Sequence, residues 1–327
     1  MPDQPPIRSL KEGDSFVGIL LAQEAAFKTS AKGSEYLELK LSDASGDLKA
    51  FLWDLRAVEG DLGPIQADAF LWVKGAATSY NGRPQLRLDK VRFVPDAEVV
   101  DVSRFFPVSA RPVPEMLAEL DGHLAAVADP WIRRLLTALF VEDADLRRAF
   151  AVAPAAKSMH HVYLGGLLEH TLSTLGMAVR ACAHYPELNR DLVAAGVLLH
   201  DVGKTAELSY QRGFGYTDAG NLLGHIAIET GWINREVGKI PGFPEELRLQ
   251  ILHIVLSHHG RLEFGSPVLP KTPEALLVHY LDDLDGKLEV MFRAIREEGG
   301  GAWSPYNRAL DRMIYRLRWP KSEPVEN

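Results

Sequence analysis

The 327-residue sequence contains one cysteine, Cys182, so it cannot form an internal disulfide. This scarcity excludes a disulfide-stabilised secreted scaffold and favours a reducing compartment, with the thiol buried in a helix. No stretch reaches the roughly 18 uncharged apolar residues that a membrane-spanning helix needs, and the N-terminus lacks the basic and then apolar pattern of a secretory signal. We therefore expect a cytoplasmic protein with no membrane partner.

The sequence also lacks an excess of positive charge, because 36 Lys and Arg residues face 44 Asp and Glu residues and leave a net charge of -8. General binding to polyanions usually depends on surplus Lys and Arg, so any contact with nucleic acid must be local. Histidine is absent from the first 122 residues, although the chain has 11 histidines. Imidazole chemistry is therefore expected only in the second part of the chain.

The length predicts two domains of ordinary globular composition, a small five-stranded barrel of the oligonucleotide-binding (OB) type followed by an all-helical domain. We place the barrel at residues 8–95, a linker at 96–114 and the helical domain at 115–320. The barrel sequence has short runs of alternating apolar residues, separated by turn chemistry such as Asn81-Gly82. Strands are predicted at Ser15–Ala22, Glu35–Ser42, Leu48–Trp53, Ala69–Thr78 and Gln85–Val94.

Small barrels of this strand count commonly hold single-stranded nucleic acid on their central strands and flanking loops. The candidate contacts are aromatic side chains that would stack on bases and basic side chains that would face phosphates: Phe27, Lys28, Tyr36, Trp53, Tyr80 and Arg83. An alternative stays open, because aromatic residues on strands mostly fill barrel cores and surface lysines mostly face water.

After residue 96 a proline-containing segment without clear period leads into helical periodicity, and Phe105-Phe106 could anchor that segment to a domain face. Helices are predicted at Glu115–Val127, Trp131–Phe140, His160–His184, Asn189–His200, Leu222–Val237, Glu245–Ser257, Pro273–Ile295 and Pro305–Arg318.

The most informative feature is the pair His200-Asp201, at the end of the apolar run Ala194–Leu199. Imidazole nitrogens and carboxylate oxygens are ligands for divalent transition metals, and a carboxylate beside an imidazole can bridge two ions. Further candidate ligands lie on other predicted helices, where facing side chains can build one site inside a bundle: His170, His225, His258, His259 and Asp282. A single histidine on an apolar helix face is more often a core residue, but seven ordered positions favour metal binding.

These residues resemble the HD superfamily of metal-dependent phosphohydrolases, whose central motif is similar to HDVGK at His200–Lys204. More narrowly, HHVYLGGLLEHT, LLGHIAIE, SHHGRLEFGSPVLP and HYLDDLDGK, behind an OB-type barrel, resemble the YhaM-type 3′-to-5′ exoribonucleases. The resemblance covers nearly the whole chain. Asp283 and Gly286 depart from the expected Asn and Ala, which leaves open whether Asp282, Asp283 or Asp285 meets a metal; motif position favours Asp282.

The resemblance implies two divalent metal ions, preferably Mn²⁺, with Fe²⁺, Co²⁺, Zn²⁺ or Mg²⁺ as alternatives. It implies a first ion held by His170, His200, Asp201 and Asp282, and a second held by Asp201, His225, His258 and His259. A hydroxide activated by both ions would hydrolyse single-stranded RNA, with single-stranded DNA as a second polymer, from the 3′ end to 5′-nucleotides. The family also suggests self-association into a homo-oligomer.

Three further residues are catalytic candidates. Lys204 could neutralise charge on the phosphate or leaving group, or could be an exposed lysine at a helix end. His161 and His160 could protonate the departing oxygen or contact phosphate, or could make structural hydrogen bonds. Two other functions also stay open: hydrolysis of a small nucleotide or cyclic dinucleotide, and single-strand binding without catalysis around a structural metal.

Overall fold

The structure is a computed structural model. It describes residues 4–61, 63, 65–99, 102–157, 161–210, 215–296 and 301–316. The chain divides into two compact units, one comprising Met1–Ala110 with Ser209–Gly215 and the other comprising Arg111–Leu208 with Tyr216–Asn327. Each unit is described by itself below.

The first unit is a β-barrel. Its strands are β1 (Ser15–Thr29), β2 (Glu35–Asp43), β3 (Gly46–Leu52), β4 (Val58–Glu59), β5 (Ala69–Tyr80) and β6 (Arg83–Val94). Their order is β3-β2-β1-β5-β6-β4, and an additional parallel pairing of β3 with β6 closes the sheet. The two-residue β4 is added to β6, so the closed barrel has five strands. The predicted five-stranded barrel followed by a helical region is confirmed.

The barrel forms where the sequence alternates between apolar and polar residues. In β2, Leu37, Leu39 and Leu41 are buried in the core, while the intervening side chains are only half-buried. Each such leucine contributes about 1.5–3 kcal/mol when it leaves water. Asn81 and Gly82, with φ of 51° and 73°, form the tight turn between β5 and β6, as two-residue hairpin loops favour.

The segment after the barrel is partly tied to it. Phe105 and Phe106 are buried, and the ring of Phe105 lies 4.8 Å from that of Phe70. The amide of Ala44 also donates a 2.8 Å hydrogen bond to the carbonyl of Arg104. The expected anchoring of the linker phenylalanines is therefore present within the first unit.

The second unit is helical. Its helices are α1 (Val113–Ala126), α2 (Pro130–Thr137), α3 (Ala144–Val152), α4 (Gly166–His184), α5 (Arg190–Leu199), α6 (Lys204–Glu207), α7 (Asp218–Val237), α8 (Glu245–Ser257) and α9 (Pro273–Arg296). A π-helical turn at Ala138–Glu142 follows α2. Cys182 is buried in α4, as expected. No helix of the described residues has both the length and the apolar character needed to cross a bilayer, and the cytoplasmic location stays a prediction.

The predicted helix at Pro305–Arg318 is wrong over its described part. Residues 301–316 instead form a folded segment with bridges between Trp303 and Tyr315 and between Asn307 and Arg312. Leu310 and Ile314 have the four-residue spacing of a helix, but they pack against Val290 and Ala294 of α9 from this irregular segment. Two apolar residues spaced by four fit either a helix or an irregular segment that packs on α9. The contacts with α9 accompany the irregular segment here.

Two further predictions about helices were wrong: α3 was not predicted, and the start of α4 was predicted too early, at His160. The helix begins at Gly166 rather than His160, because the chain folds back so closely that a Cβ at Gly166 would lie 2.1 Å from the His161 carbonyl oxygen. Gly165 precedes it with a left-handed φ of 80°, a conformation that glycine adopts without strain. The resulting turn places His161 outside the helix.

Candidate metal centre

The predicted ligands come from the ends and middles of five helices and meet inside the helical unit. His170 lies within α4, and Asp282 lies within α9. His200-Asp201 directly follows α5, and His258-His259 directly follows α8. His225 stands just after a break in α7, where Gly224 has φ of 73° and ψ of 159°. Because α7 does not continue regularly through Gly224, this histidine is aimed by a kink rather than by the helix period alone.

Four of these residues form one group of ligand atoms, all within 4.8 Å of one another: His170, His200, Asp201 and Asp282. The His170 Nε2 atom lies 3.2 Å from Asp282 Oδ1 and 3.3 Å from His200 Nε2. The His200 Nε2 atom lies 3.4 Å from Asp201 Oδ2. Two imidazoles and two carboxylates thus face a common point.

The other three form a second group, in which His225, His258 and His259 also offer atoms within 4.8 Å of one another. Asp201 connects the two groups through different oxygens. Its Oδ2 faces His200, whereas its Oδ1 lies 3.5 Å from His225 Nε2 and 3.8 Å from His258 Nε2. A carboxylate placed in this way can bind one cation through each oxygen.

Each of the five histidines is fixed through its Nδ1 atom. Three of these Nδ1 atoms donate to backbone carbonyl oxygens. His200 donates to Val197 at 2.8 Å, His258 to Val255 at 2.7 Å and His259 to Phe264 at 2.8 Å. A carbonyl can only accept, so Nδ1 carries the proton and Nε2 of the neutral ring keeps its lone pair for the centre.

Carboxylates hold the remaining two histidines. Glu207 Oε1 lies 3.1 Å from His225 Nδ1, and Asp285 Oδ2 lies 2.7 Å from His170 Nδ1. Such outer partners fix the orientation of a ligand ring and raise its basicity.

Three buried polar atoms at the centre lack a hydrogen bond in the part of the chain that the structure describes. Asp201 Oδ1, His225 Nε2 and His258 Nε2 are buried and make no hydrogen bond within the described residues. Burying an unpaired polar atom costs about 1–3 kcal/mol, so three together are expensive unless something else satisfies them. A cation would accept lone pairs from all three, and the donor set of imidazole and carboxylate suits a divalent transition metal.

The electrostatics favour neutral imidazoles on one side of the centre. Burial, together with the neighbouring imidazoles, lowers the pKa of His258 well below its ordinary value and also lowers the pKa of His259. His170 differs: burial opposes its protonation, but hydrogen bonds with Asp282 and Asp285 raise its pKa to about 10. The pKa of Asp201 lies well below the ordinary value, because Lys204 and nearby imidazoles outweigh burial.

The three aspartates of α9 have different surroundings. Asp282 faces His170 and His200 and is 16% exposed. Asp285 lies on the outer side of His170, where it also contacts His161 Nε2 at 2.9 Å and accepts a hydrogen bond from Ser173. Asp283 pairs with Lys287 at 2.6 Å near the surface. The geometry thus brings Asp282 alone of the three to the first group of ligands.

The catalytic candidates also differ in placement. Lys204 is buried, with Nζ 2.7 Å from Asp201 Oδ2, so the alternative of an exposed helix-end lysine is wrong. His161 is buried, and its ring nitrogens contact Tyr163 Oη at 2.5 Å and Asp285 Oδ2 at 2.9 Å. These contacts match the structural alternative considered for His161. His160 lies outside the described residues.

Sequence reasoning missed two buried glutamates beside the centre. Glu207 accepts hydrogen bonds from the backbone amide and the ring of His225. Glu229 is fully buried, accepts a 3.0 Å hydrogen bond from the amide of Gly203, and has its pKa raised well above the ordinary value by burial. The available signal was position: Glu207 falls three residues after HDVGK, and Glu229 falls one helical turn after His225.

The barrel candidates lie mostly on its surface. Phe27, Trp53 and Tyr80 are exposed, so the core alternative is wrong for them, whereas Tyr36 is half-buried. The Tyr36 and Trp53 rings lie 4.6 Å apart, and Phe51 stacks on Trp53 at 5.7 Å. We call Tyr36, Phe51 and Trp53 the aromatic face.

Basic side chains border this face. Lys28 forms a 2.8 Å ion pair with Glu38, which also lies 3.4 Å from Lys49. A groove of about 780 Å³ beside Phe51 is lined by Tyr80 and Lys49 among others. The side chain of Arg83 lies outside the described residues.

Comparison with known proteins agrees with this arrangement. The family model described as "HD domain" matches residues 167–287, which contain all seven predicted ligands. The helical unit therefore contains an HD domain, a class that depends on a divalent metal.

A curated relative narrows the class. The chain is 35% identical over 310 residues to the 3′-5′ exoribonuclease YhaM of Bacillus subtilis (strain 168), covering 94% of this chain and 97% of the relative. The chain belongs to the YhaM family of 3′-5′ exoribonucleases.

Two solved structures show a distant likeness to this chain. The second OB-fold domain of replication protein A from Methanococcus maripaludis has a TM-score of 0.22 and 16% identity, over 28% of this chain and 93% of that domain. The aspartyl-tRNA synthetase of Entamoeba histolytica has a TM-score of 0.25 and 7% identity, over 61% of this chain and 44% of the synthetase.

Proposed function

We propose that this chain is a metal-dependent 3′-to-5′ exoribonuclease that releases 5′-nucleotides from single-stranded RNA. The observation that carries the proposal is the position of Asp201, with one carboxylate oxygen toward each of two groups of buried imidazoles, in a member of the YhaM family. Phosphodiester hydrolysis needs a nucleophile and neutralisation of the charge that develops on phosphate, and paired cations supply both.

The proposed ligand sets follow the two groups. His170, His200, Asp201 and Asp282 would hold one divalent ion, and Asp201, His225, His258 and His259 would hold the other. Mn²⁺ is the ion that the resemblance to the YhaM family favours, and a donor set of imidazole and carboxylate also suits other divalent transition metals. When bound, the two ions would act as Lewis acids on phosphate and increase the acidity of water between them.

The protein's own residues set up this chemistry. The Nδ1 contacts orient the imidazoles before metal binds, and this reduces the side-chain conformational entropy that is lost on metal binding. Lys204, with its ammonium beside Asp201, offsets the negative charge of that carboxylate and leaves a positive charge close to where phosphate would lie. Asp285 orients His170 and would act as a positioning residue.

The barrel would hold the strand that the helical unit trims. Exposed rings stack on bases without sequence preference, and the aromatic face with Tyr80 and Phe27 offers such rings. Lys28 is available for phosphate if Glu38 exchanges partners with Lys49. In this proposal residues 8–95 bind RNA, residues 96–114 connect, and residues 115–320 carry catalysis. Single-stranded DNA would bind through the same stacking contacts.

The test is cleavage of 5′-labelled single-stranded RNA with Mn²⁺, comparing the unaltered protein with Asp201→Asn. A ladder that shortens from the 3′ end and is absent with the variant supports the proposal. Intact RNA together with hydrolysis of a small nucleotide or cyclic dinucleotide would assign a different phosphohydrolase activity. Binding of RNA without any hydrolysis would leave the metal a structural role. An RNA ending in a 3′-phosphate checks whether the free hydroxyl is required.

We also propose that the chain forms homo-oligomers through α9. Its outward side carries apolar residues at four-residue spacing, all exposed among the described residues: Leu276, Tyr280, Leu284, Leu288 and Phe292. Contiguous apolar patches of this kind mark interaction sites. Glu274 lies in the first turn of α9, and Arg293 and Arg296 lie in the last, so an antiparallel pair of copies places opposite charges together.

Analytical ultracentrifugation tests this interface. Leu284→Glu should lower the molecular mass of the assembly, because a charge at the centre of the stripe would be buried without a partner. Leu249→Glu, at an exposed leucine of α8, is the matched control and should leave the mass unchanged. An unchanged mass for Leu284→Glu would refute the α9 interface.

A further inference from the structure

A cavity opens directly onto the metal centre within the helical unit. It has a volume of about 420 Å³, and its lining includes Phe264, Lys287, Val290, Ala309 and Leu310. Its lining includes two proposed metal ligands, His259 and Asp282, and the lysine that pairs with Asp201. Its volume falls in the range of about 300–1,000 Å³ that small-molecule sites occupy.

The lining has three chemical parts. Polar and charged groups, including Lys204 and Lys287, can meet phosphate and ribose hydroxyls. Val290, Ala309 and Leu310 form an apolar part, with Leu310 itself buried against α9. Phe264 contributes an aromatic ring that is 58% exposed although it lines the cavity. Phosphate, sugar and a flat base are the three parts of a nucleotide.

Phe264 is held by the same turn that orients a metal ligand. The carbonyl oxygen of Phe264 accepts a 2.8 Å hydrogen bond from His259 Nδ1. Phe264 is the last residue of the 3₁₀ turn Leu262–Phe264, and Gly265 follows it with φ of 94°. The Arg261 guanidinium lies 5.5 Å from the centre of the ring. The backbone at Phe264, from which the exposed ring projects, is therefore held close to His259.

We infer that this cavity binds the 3′-terminal nucleotide of the RNA, with its base stacked on the ring of Phe264. The inference rests on the proposed function and adds a specificity-determining residue to it. A base stacks on any aromatic face, so the contact would recognise the presence of a base rather than its identity. Stacking would position the last phosphodiester at the metal centre, because Phe264 and His259 share one turn.

The experiment is a double-mutant cycle between the protein and the substrate. Phe264→Ala and the unaltered protein are compared on a 5′-labelled RNA with a normal 3′-terminal nucleotide and on the same RNA with an abasic terminal ribose. Loss of stacking should lower kcat/KM for the normal RNA by roughly 5- to 150-fold. On the abasic RNA the two proteins should be nearly equal, because the ring has no base to contact.

Controls separate a stacking role from a structural one. Leu262→Ala changes an exposed residue of the same turn that does not line the cavity, and it should leave both substrates unaffected. Phe264→Trp should retain the preference for a terminal base. Metal content of Phe264→Ala, measured by elemental analysis, should be unchanged, since the contact with His259 uses the backbone.

A binding readout is independent of turnover. Calorimetry should show that the unaltered protein binds a nucleoside 5′-monophosphate more tightly than ribose 5-phosphate, and that Phe264→Ala loses this difference. Equal penalties for Phe264→Ala on normal and abasic RNA, or an unchanged preference for the nucleotide, would overturn the inference. Failure of the unaltered protein to shorten any RNA from its 3′ end would instead overturn the proposed function.

Discussion

The barrel's aromatic face and the metal centre both gather side chains with chemical function, but they hold them in opposite ways. Trp53 is exposed and contacts other aromatic rings, and Lys28 shares an exposed ion pair. His200 and His258 are fully buried, and a backbone carbonyl holds each ring. An exposed ring can adjust to successive bases, whereas a metal ligand must be in place beforehand. The contrast is between an adaptable surface and a preorganised site.

The largest expected effect comes from the residue that joins the two histidine groups. Asp201→Asn keeps the size of the side chain but removes the charge that both proposed ions share. We expect RNA cleavage to fall at least about 100- to 1,000-fold, the loss usual when a group that stabilises developing charge is removed. Binding of RNA to the barrel should be nearly unchanged, which a gel-shift assay would check. Retained cleavage would contradict the bridging role.

A smaller loss is expected from the outer partner of His225. Glu207→Gln keeps an oxygen near the ring but removes the carboxylate charge, so metal affinity should fall by about 10- to 100-fold. Isothermal titration calorimetry with Mn²⁺ measures the change in metal affinity. Glu245→Gln, at an exposed glutamate of α8 that pairs with Arg248, is the matched control and should bind metal normally. Equal affinities for both variants would argue against preorganisation.

Acid should weaken the metal-free centre before it affects the barrel. His258 and His259 stay neutral in the fold because burial lowers their pKa, whereas in the unfolded chain they take up protons below about pH 6.5. Stability is therefore lost as the pH falls through 6.5, by about 1 kcal/mol at pH 5.5 for His258 and by less for the half-buried His259. The raised pKa of His170 adds no change in this range, because its stabilisation is fully present below 6.5.

Urea unfolding in the presence of a chelator, at pH 6.5 and 5.5, tests this expectation. His258→Asn should show a smaller loss between the two pH values than the unaltered protein. A free energy of unfolding that is constant or higher at pH 5.5 would contradict the neutral state assigned to these rings.

The smallest effect is expected on the barrel. Trp53→Ala removes one ring from a face that retains Tyr36 and Phe51, so RNA affinity should fall by about 1 kcal/mol, roughly 5-fold. The change should be seen in KM for long RNA, while kcat for a short RNA is unaltered. Tyr185→Ala, at an exposed aromatic of the helical unit, serves as the control. A large fall in kcat for short RNA would place Trp53 in the chemistry instead.

Much of this arrangement was predictable because local patterns carry it. Alternation in Glu35–Ser42 and the Asn81-Gly82 turn specify a hairpin-rich barrel, and the observed strands differ from the predicted ones mainly by extension at their ends. The helix predicted at Glu245–Ser257 has the same bounds in the structure. The helix predicted at Pro305–Arg318 failed, because Leu310 and Ile314 face α9 from an irregular segment.

The candidate site also has a part that the sequence predicted and a part that it did not. Residue type and order indicated which side chains could bind metal, because imidazole and carboxylate chemistry depends on the residue itself. The roles of Glu207, Glu229 and Asp285 were not predictable, since an outer hydrogen bond depends on which helix packs beside which. The close approach of Asp282 to His170, over 112 positions of sequence, also exists only in the packed bundle.

The sequence by itself determined the order of barrel and helices, the absence of histidine from the barrel and the chemical type of the centre, because periodicity and side-chain chemistry are local properties. The tertiary structure decided which aspartate of α9 faces the histidines and that Asp201 points one oxygen toward each group. It also set Phe264 beside the same cavity as Asp282. Distances between atoms on different helices are fixed by packing, and no local pattern encodes them.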